Sequence, residues 1–141
     1  MVAPPASLTG IRVLAVDDEG DALTLVRDVL EAAGATVMTA DSAERALQAL
    51  ANDVPDVMIT DLGMPKMDGF ALLEAVRASP DEAVRGVPVA ALTAYARSED
   101  RTRALRSGFQ MHLAKPIDPA ELVASVSALA RRRSTSSTAL S

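Results

Sequence analysis

The sequence predicts a doubly wound α/β domain: one parallel five-stranded sheet with helices on both faces. Three observations predict it. Short β-branched apolar runs alternate strictly with longer amphipathic segments, and the alternation repeats five times. No internal repeat or second composition regime interrupts it. The length of 141 residues, with 49% hydrophobic and 23% charged, suits one globular domain.

The elements follow in order. Ile11 to Val16 is the first strand, and Asp21 to Ala33 the first helix, with Ala22, Val26, Val29 and Ala33 on one face and Gly34 as its stop. Thr36 to Thr39 is the second strand. A helix over Ala43 to Ala51 is introduced by Asp41, with Glu44 three residues later, and Asp56 to Thr60 is the third strand. A Gly/Pro loop from Leu62 to Asp68 leads into a helix over Phe70 to Ala78. Strand Val87 to Leu92, helix Ser98 to Ser107 ending at Gly108, strand Gln110 to Ala114 and helix Pro119 to about Arg131 complete the chain. The last helix has Asp118 as cap, Pro119 at the first helical position and Glu121 in the first turn. Right-handed crossovers between parallel strands put these helices on both faces of the sheet.

Composition narrows the chemistry. The chain has no cysteine, which removes disulfides, thiolate zinc sites and cysteine nucleophiles, and a single histidine, which removes a two-histidine metal site. A net charge of −5 leaves no global basic field for nucleic acid, and the three aromatics (Phe70, Tyr95, Phe109) make no base-stacking platform. No apolar run approaches the ~20 residues of a membrane span, and Met1 to Gly10 lacks the pattern of a signal peptide, so the expected location is cytoplasmic. Carboxylate, hydroxyl, lysine and backbone chemistry remain.

In open α/β sheets, ligands bind beyond the carboxyl ends of the strands. Those ends carry Asp17 and Asp18, Asp61, Thr93 and Lys115. If the first and third strands are neighbours, three carboxylates converge, which is costly unless a cation neutralises them. Oxygen donors without histidine or thiolate point to Mg²⁺, which takes one or two carboxylates and leaves room for a phosphate oxygen. Lys115 and Thr93 then suit a phosphoryl group as cation and hydroxyl donor. A carboxylate needs no general base to act as nucleophile at neutral pH, and Asp61, alone at its strand end before a loop with Gly63, Pro65 and Gly69, is the best acceptor. Asp17 and Asp18 look like the metal-holding pair.

Four segments, Val16-Asp17-Asp18-Glu19, Asp61 to Gly69 (DLGMPKMDG), Leu92-Thr93-Ala94 and Lys115-Pro116, in this order and each at a strand end, resemble the receiver domain of two-component response regulators. The resemblance covers about residues 11–131. It implies the flavodoxin-like (βα)5 fold with strand order 2-1-3-4-5, and a phosphoryl group taken from a phosphohistidine onto Asp61 in a Mg²⁺-dependent reaction. It further implies Mg²⁺ on Asp18, Asp61 and the main-chain carbonyl of Gly63, with Asp17 assisting through water. Lys115 pairs with the phosphoryl oxygens, Thr93 hydrogen-bonds the group and moves toward it, and Pro116 follows a cis peptide. The implied donor is a histidine kinase or histidine phosphotransfer protein; the downstream target is unknown. The expected assembly is a monomer or weak dimer, with no direct nucleic-acid binding. Such a receiver is no enzyme in the usual sense, although it promotes its own phosphorylation and dephosphorylation.

Two positions bear on tuning. His112 stands where the family usually has a switch Tyr or Phe; the plainer reading is a partly buried ring filling that space, the sharper one a pH-sensitive switch. Gly63 and Tyr95 flank the family's path for the hydrolytic water, and the larger Tyr95 is expected to matter more for acyl-phosphate lifetime. Two other classes stay in view. A Mg²⁺-dependent aspartyl-phosphate phosphatase would place a second Asp two residues after the nucleophile, where this chain has Gly63; a non-phosphorylated interaction module would have no need of the full residue set.

The remaining features read as surface or core. Arg131 to Arg133 suit the C-terminus of a helix. Arg97, Arg101 and Arg103, interleaved with Glu99 and Asp100, read as a solvated mixed face; Met58, Met64, Met67 and Met111 as core or loop filler; Asp53 and Asp56 as turn residues. Residues 1–10 read as a leader or linker and 132–141 as a flexible tail. The leader and the segment from Gly108 to Leu122 resemble receivers at the C-terminal end of hybrid sensor histidine kinases, which would make the parent protein a kinase.

Overall fold

A computed structural model describes residues 7–94 and 98–140. Its elements are β1 (Arg12–Val16), α1 (Gly20–Ala32), β2 (Thr36–Ala40), α2 (Ala43–Asn52), β3 (Val57–Asp61), α3 (Gly69–Arg77), α4 (Glu82–Arg85), β4 (Val89–Thr93), α5 (Ser98–Arg106), β5 (Met111–Ala114) and α6 (Pro119–Leu140). The five strands form one sheet in the order β2-β1-β3-β4-β5, every pair parallel.

Alternation of side chains along the strands divides the interior into two cores. On one face Leu14, Val16, Met58, Val89 and Ala91 pack with Ala46, Leu50, Leu72, Leu73 and Val76 of α2 and α3. On the other, Val13, Ala15, Val57, Ile59, Ala90 and Leu92 meet Val26 and Leu30 of α1 and Leu122, Val126 and Leu129 of α6. Strands buried on both faces read as continuous apolar runs, which is why β3 and β4 were legible. Each fully buried aliphatic side chain contributes roughly 1.5–3 kcal/mol.

Three local features differ from the expectation. Ser42, not Asp41, caps α2, accepting from the Arg45 N–H at 3.1 Å, because Asp41 turns outward to pair with the Arg45 guanidinium at 3.3 Å. The turn α4 falls where the sequence pattern predicts no element; Asp81 starts it by accepting from the Ala83 N–H at 2.9 Å, and Gly86 ends it. The last helix continues past Arg131 to Leu140, since no Gly or Pro lies between Ala120 and Leu140 to stop it. Gly34 stops α1 with φ +106°, and Asp118 accepts from the Ala120 N–H at 3.0 Å at the start of α6.

Candidate functional site

The carboxyl end of the sheet carries the site because adjacent parallel strands end there together. Pairing of β1 with β3 ends at Val16 opposite Thr60, so Asp17, Asp18 and Asp61 are the next residues out on neighbouring strands. One carboxylate oxygen from each of these three lies within 4.8 Å of the other two. Asp17 and Asp61 are buried, whereas Asp18 is exposed at the mouth. Thr93 closes β4 and is buried; hydrogen bonding between β4 and β5 continues one step beyond β5, where the Lys115 N–H donates to the Thr93 carbonyl at 2.8 Å. That backbone bond points the lysine into the acidic cluster.

Lys115 Nζ donates to Asp17 Oδ2 at 2.8 Å and stands 3.4 Å from Asp61 Oδ1. The other oxygen of Asp17 accepts from the Glu19 N–H at 2.9 Å. Both Asp17 oxygens are thus engaged within the protein. Burial pushes the Asp61 carboxyl up, as does the neighbouring Asp17 charge; Lys115 and a backbone hydrogen bond from Gly63 offset this only in part. Burial alone lowers the Lys115 ammonium, but the hydrogen bond with Asp17 and the two carboxylate charges outweigh it and hold the group above its ordinary value.

Three carboxylates therefore face one ammonium, and the raised Asp61 marks the negative charge left over. An all-oxygen donor set with one member open to solvent fits a hard divalent cation such as Mg²⁺. The loop after β3 is shaped for close approach: a Cβ on Gly69 would sit 2.5 Å from the Asp61 carbonyl oxygen, a contact that only glycine permits. Lys66 in this loop takes φ +67°. The peptide between Lys115 and Pro116 is cis.

The structure brings Asp17, Asp18, Asp61, Thr93 and Lys115 to one end of the sheet, with Gly63 just past β3. His112 lies on β5 opposite Ala91, with both ring nitrogens buried. Tyr95 lies outside the described residues. Met58 and Met64 are core, as expected. Asp53 and Asp56 lie at the other end of the sheet, Asp53 paired with the Arg12 guanidinium and Asp56 accepting from the Arg12 N–H at 2.9 Å. Arg103 is exposed, as a solvated face implies, and its guanidinium also stacks 3.9 Å over the Phe70 ring, while Phe70 meets Phe109 edge-on at 5.8 Å. Helical spacing alone does not show a partner 33 residues away in sequence. The close contact at Gly69 was missed for the same reason, although a glycine directly after the cap Asp68 was its signal.

Comparison with known proteins agrees with this geometry. Residues 13–127 match the response regulator receiver domain. An uncharacterized 14.6 kDa protein of Leptolyngbya boryana is 46% identical over 117 residues, covering 83% of this chain and 88% of that protein. The transcriptional regulatory protein PrrA of Mycobacterium tuberculosis is 38% identical over 134 residues, covering 95% of this chain and 56% of PrrA. The sensor protein GacS of Pseudomonas syringae is 37% identical over 122 residues, 86% of this chain and 14% of GacS. The crystal structure of the chemotaxis response regulator CheY4 of Vibrio cholerae superimposes with a TM-score of 0.78 at 31% identity, covering 86% of this chain and 99% of that one. The chain belongs to the response regulator receiver domain family and is a phosphoacceptor module of two-component signal transduction. It spans about half the length of PrrA and a small part of GacS. Among the described residues no helix is long and apolar enough to cross a membrane.

Proposed function

We propose that Asp61 is the phosphoacceptor, taking the phosphoryl group from a phosphohistidine of a histidine kinase or histidine phosphotransfer protein. The observation that carries this reading is the position of Asp61: a buried strand-end carboxylate flanked by two further carboxylates and by the Lys115 ammonium at 3.4 Å. A carboxylate oxygen of Asp61 forms the new bond to phosphorus while the phosphorus–nitrogen bond to the histidine breaks, and the imidazole nitrogen keeps the electron pair. Little else is asked of the protein beyond position and charge. Lys115 is placed to follow the negative charge from the carboxylates to the phosphoryl oxygens, and the Thr93 hydroxyl to donate a hydrogen bond to them. Asp18, Asp61 and the Gly63 carbonyl would hold Mg²⁺, with Asp17 acting through water because its own oxygens are engaged by Lys115 and Glu19. The metal supplies neutralisation of the phosphoryl oxygens. Attack of water on phosphorus returns Asp61 to its carboxylate and releases phosphate, with an adduct lifetime that depends more on Tyr95 than on Gly63.

The adduct biases a two-state shift that begins at Thr93 and reaches the surface of α5, β5 and α6, which a protein partner reads. The test is Mg²⁺-dependent labelling by a small phosphodonor. Wild type holds a labile adduct and Asp61→Asn takes up none; steady turnover of the donor without an adduct, or no labelling at all, sinks the reading.

A further inference from the structure

The carbonyl oxygen of Asp61 is approached closely by two residues outside the carboxylate and lysine cluster. Thr60 is fully buried, and its hydroxyl donates to that oxygen at 3.0 Å. Pairing of β3 with β1 ends at Thr60, so the Asp61 carbonyl lies one position past the ladder. Gly69 also lies close to this oxygen, a Cβ there falling 2.5 Å from it, and its own N–H donates to the Leu62 carbonyl at 3.2 Å. The Asp61 and Leu62 carbonyls are thereby each hydrogen-bonded, the first by the Thr60 hydroxyl and the second by the Gly69 N–H.

Thr60 sits between Val16 and Ala91 in the sheet register, on the face where Leu14, Val16, Met58 and Ala91 form an apolar core. Valine would fill that space with no polar atom to satisfy, and a buried hydroxyl is tolerated there only because it is hydrogen-bonded. What the hydroxyl adds over valine is the bond to Asp61.

We infer that Thr60 is a positioning residue for the phosphoacceptor: its hydroxyl, with Gly69 close to the same carbonyl, sets the path of Asp61, Leu62 and Gly63 and hence the aim of the carboxylate and of the Gly63 carbonyl. The inference rests on the reading of Asp61 and Gly63 given above. Outer partners that orient metal ligands act through affinity, so the effect is read first in metal binding.

The test uses the full chain carrying Thr60→Val or Thr60→Ser, with Mg²⁺ affinity of the unphosphorylated protein measured by calorimetric titration, labelling by phosphoramidate at saturating Mg²⁺, and thermal unfolding. Thr60→Val weakens Mg²⁺ binding about three- to tenfold, the worth of one buried hydrogen bond, and Thr60→Ser restores it to within about twofold of wild type. Thr60→Ala replaces Thr60→Val should the latter not fold. Wild-type affinity in the valine variant overturns the inference, as does an equal loss in the serine variant, which would assign the effect to packing. Wild type that binds Mg²⁺ yet takes up no phosphoryl overturns the reading of Asp61 alone, and the valine-to-serine comparison still decides the role of Thr60.

Discussion

Lys115 and Asp17, 98 residues apart in sequence, meet at 2.8 Å, closer than the 3.4 Å between Lys115 and Asp61. The lysine stands nearer Asp17, leaving Asp61 the less compensated of the two buried acids.

Removing that cation should therefore cost stability most when no metal is present. Lys115→Met leaves Asp17 and Asp61 facing each other, with an expected loss of about 1–3 kcal/mol at neutral pH. Mg²⁺ should raise the melting temperature of the variant more than that of wild type. An equal Mg²⁺ increment in both chains counts against charge compensation by Lys115.

The raised pKa of Asp61 has a definite sign in stability. The folded chain holds this proton more tightly than the unfolded chain, whose value is near 3.8. Its contribution to stability is thus present below pH 3.8 and is lost as pH rises through the folded value. At pH 7 without Mg²⁺, Asp61→Asn should melt several degrees above wild type, and the gap should close on acidification toward pH 4. Thermal melts across this range that show no gap at pH 7 would falsify the assignment of unrelieved charge to Asp61.

Arg77 offers a contrast at the far end of the sheet. Its guanidinium donates to the carbonyls of Arg85 at 2.8 Å and Val87 at 2.7 Å and to Gln110 Oε1 at 3.2 Å, tying α3 to the α4 turn and the chain entering β4. Arg77→Met should destabilise the fold by about 2 kcal/mol, the scale of charge-assisted hydrogen bonds. Phosphoryl uptake by the variant, measured below its melting transition, should match wild type; a slowed uptake would tie this end of the sheet to the site.

For His112 the buried ring nitrogens favour the plainer of the two readings, a partly buried ring filling its space on β5. His112→Phe should leave the phosphorylation-dependent spectral change the same from pH 6 to pH 8. A change that follows pH in wild type and not in the variant would restore the switch.

The alternation of apolar runs with amphipathic segments was enough to read five strands and the five longer helices, because strands buried on both faces and helices buried on one carry distinct hydrophobic periods. The acidic pair after β1, the lone acid after β3, and Thr93 and Lys115 were legible too, since the rule that ligands bind at strand ends ranks positions before any contact is known. The cap of α2 was misread because Asp41 and Ser42 are both good caps, and only the pairing of Asp41 with Arg45 decides between them.

Sequence by itself therefore determined which groups this receiver carries and at which strand ends they stand, since both follow from local pattern. Tertiary structure alone decided how they share their charge and contacts: that Lys115 bonds Asp17 before Asp61, that Thr60 and Gly69 both come close to one carbonyl oxygen, and that Arg103 stacks over Phe70. These relationships join residues on different elements, or turn on differences of less than an ångström. No periodicity encodes such distances; they are set by how helices and strands pack.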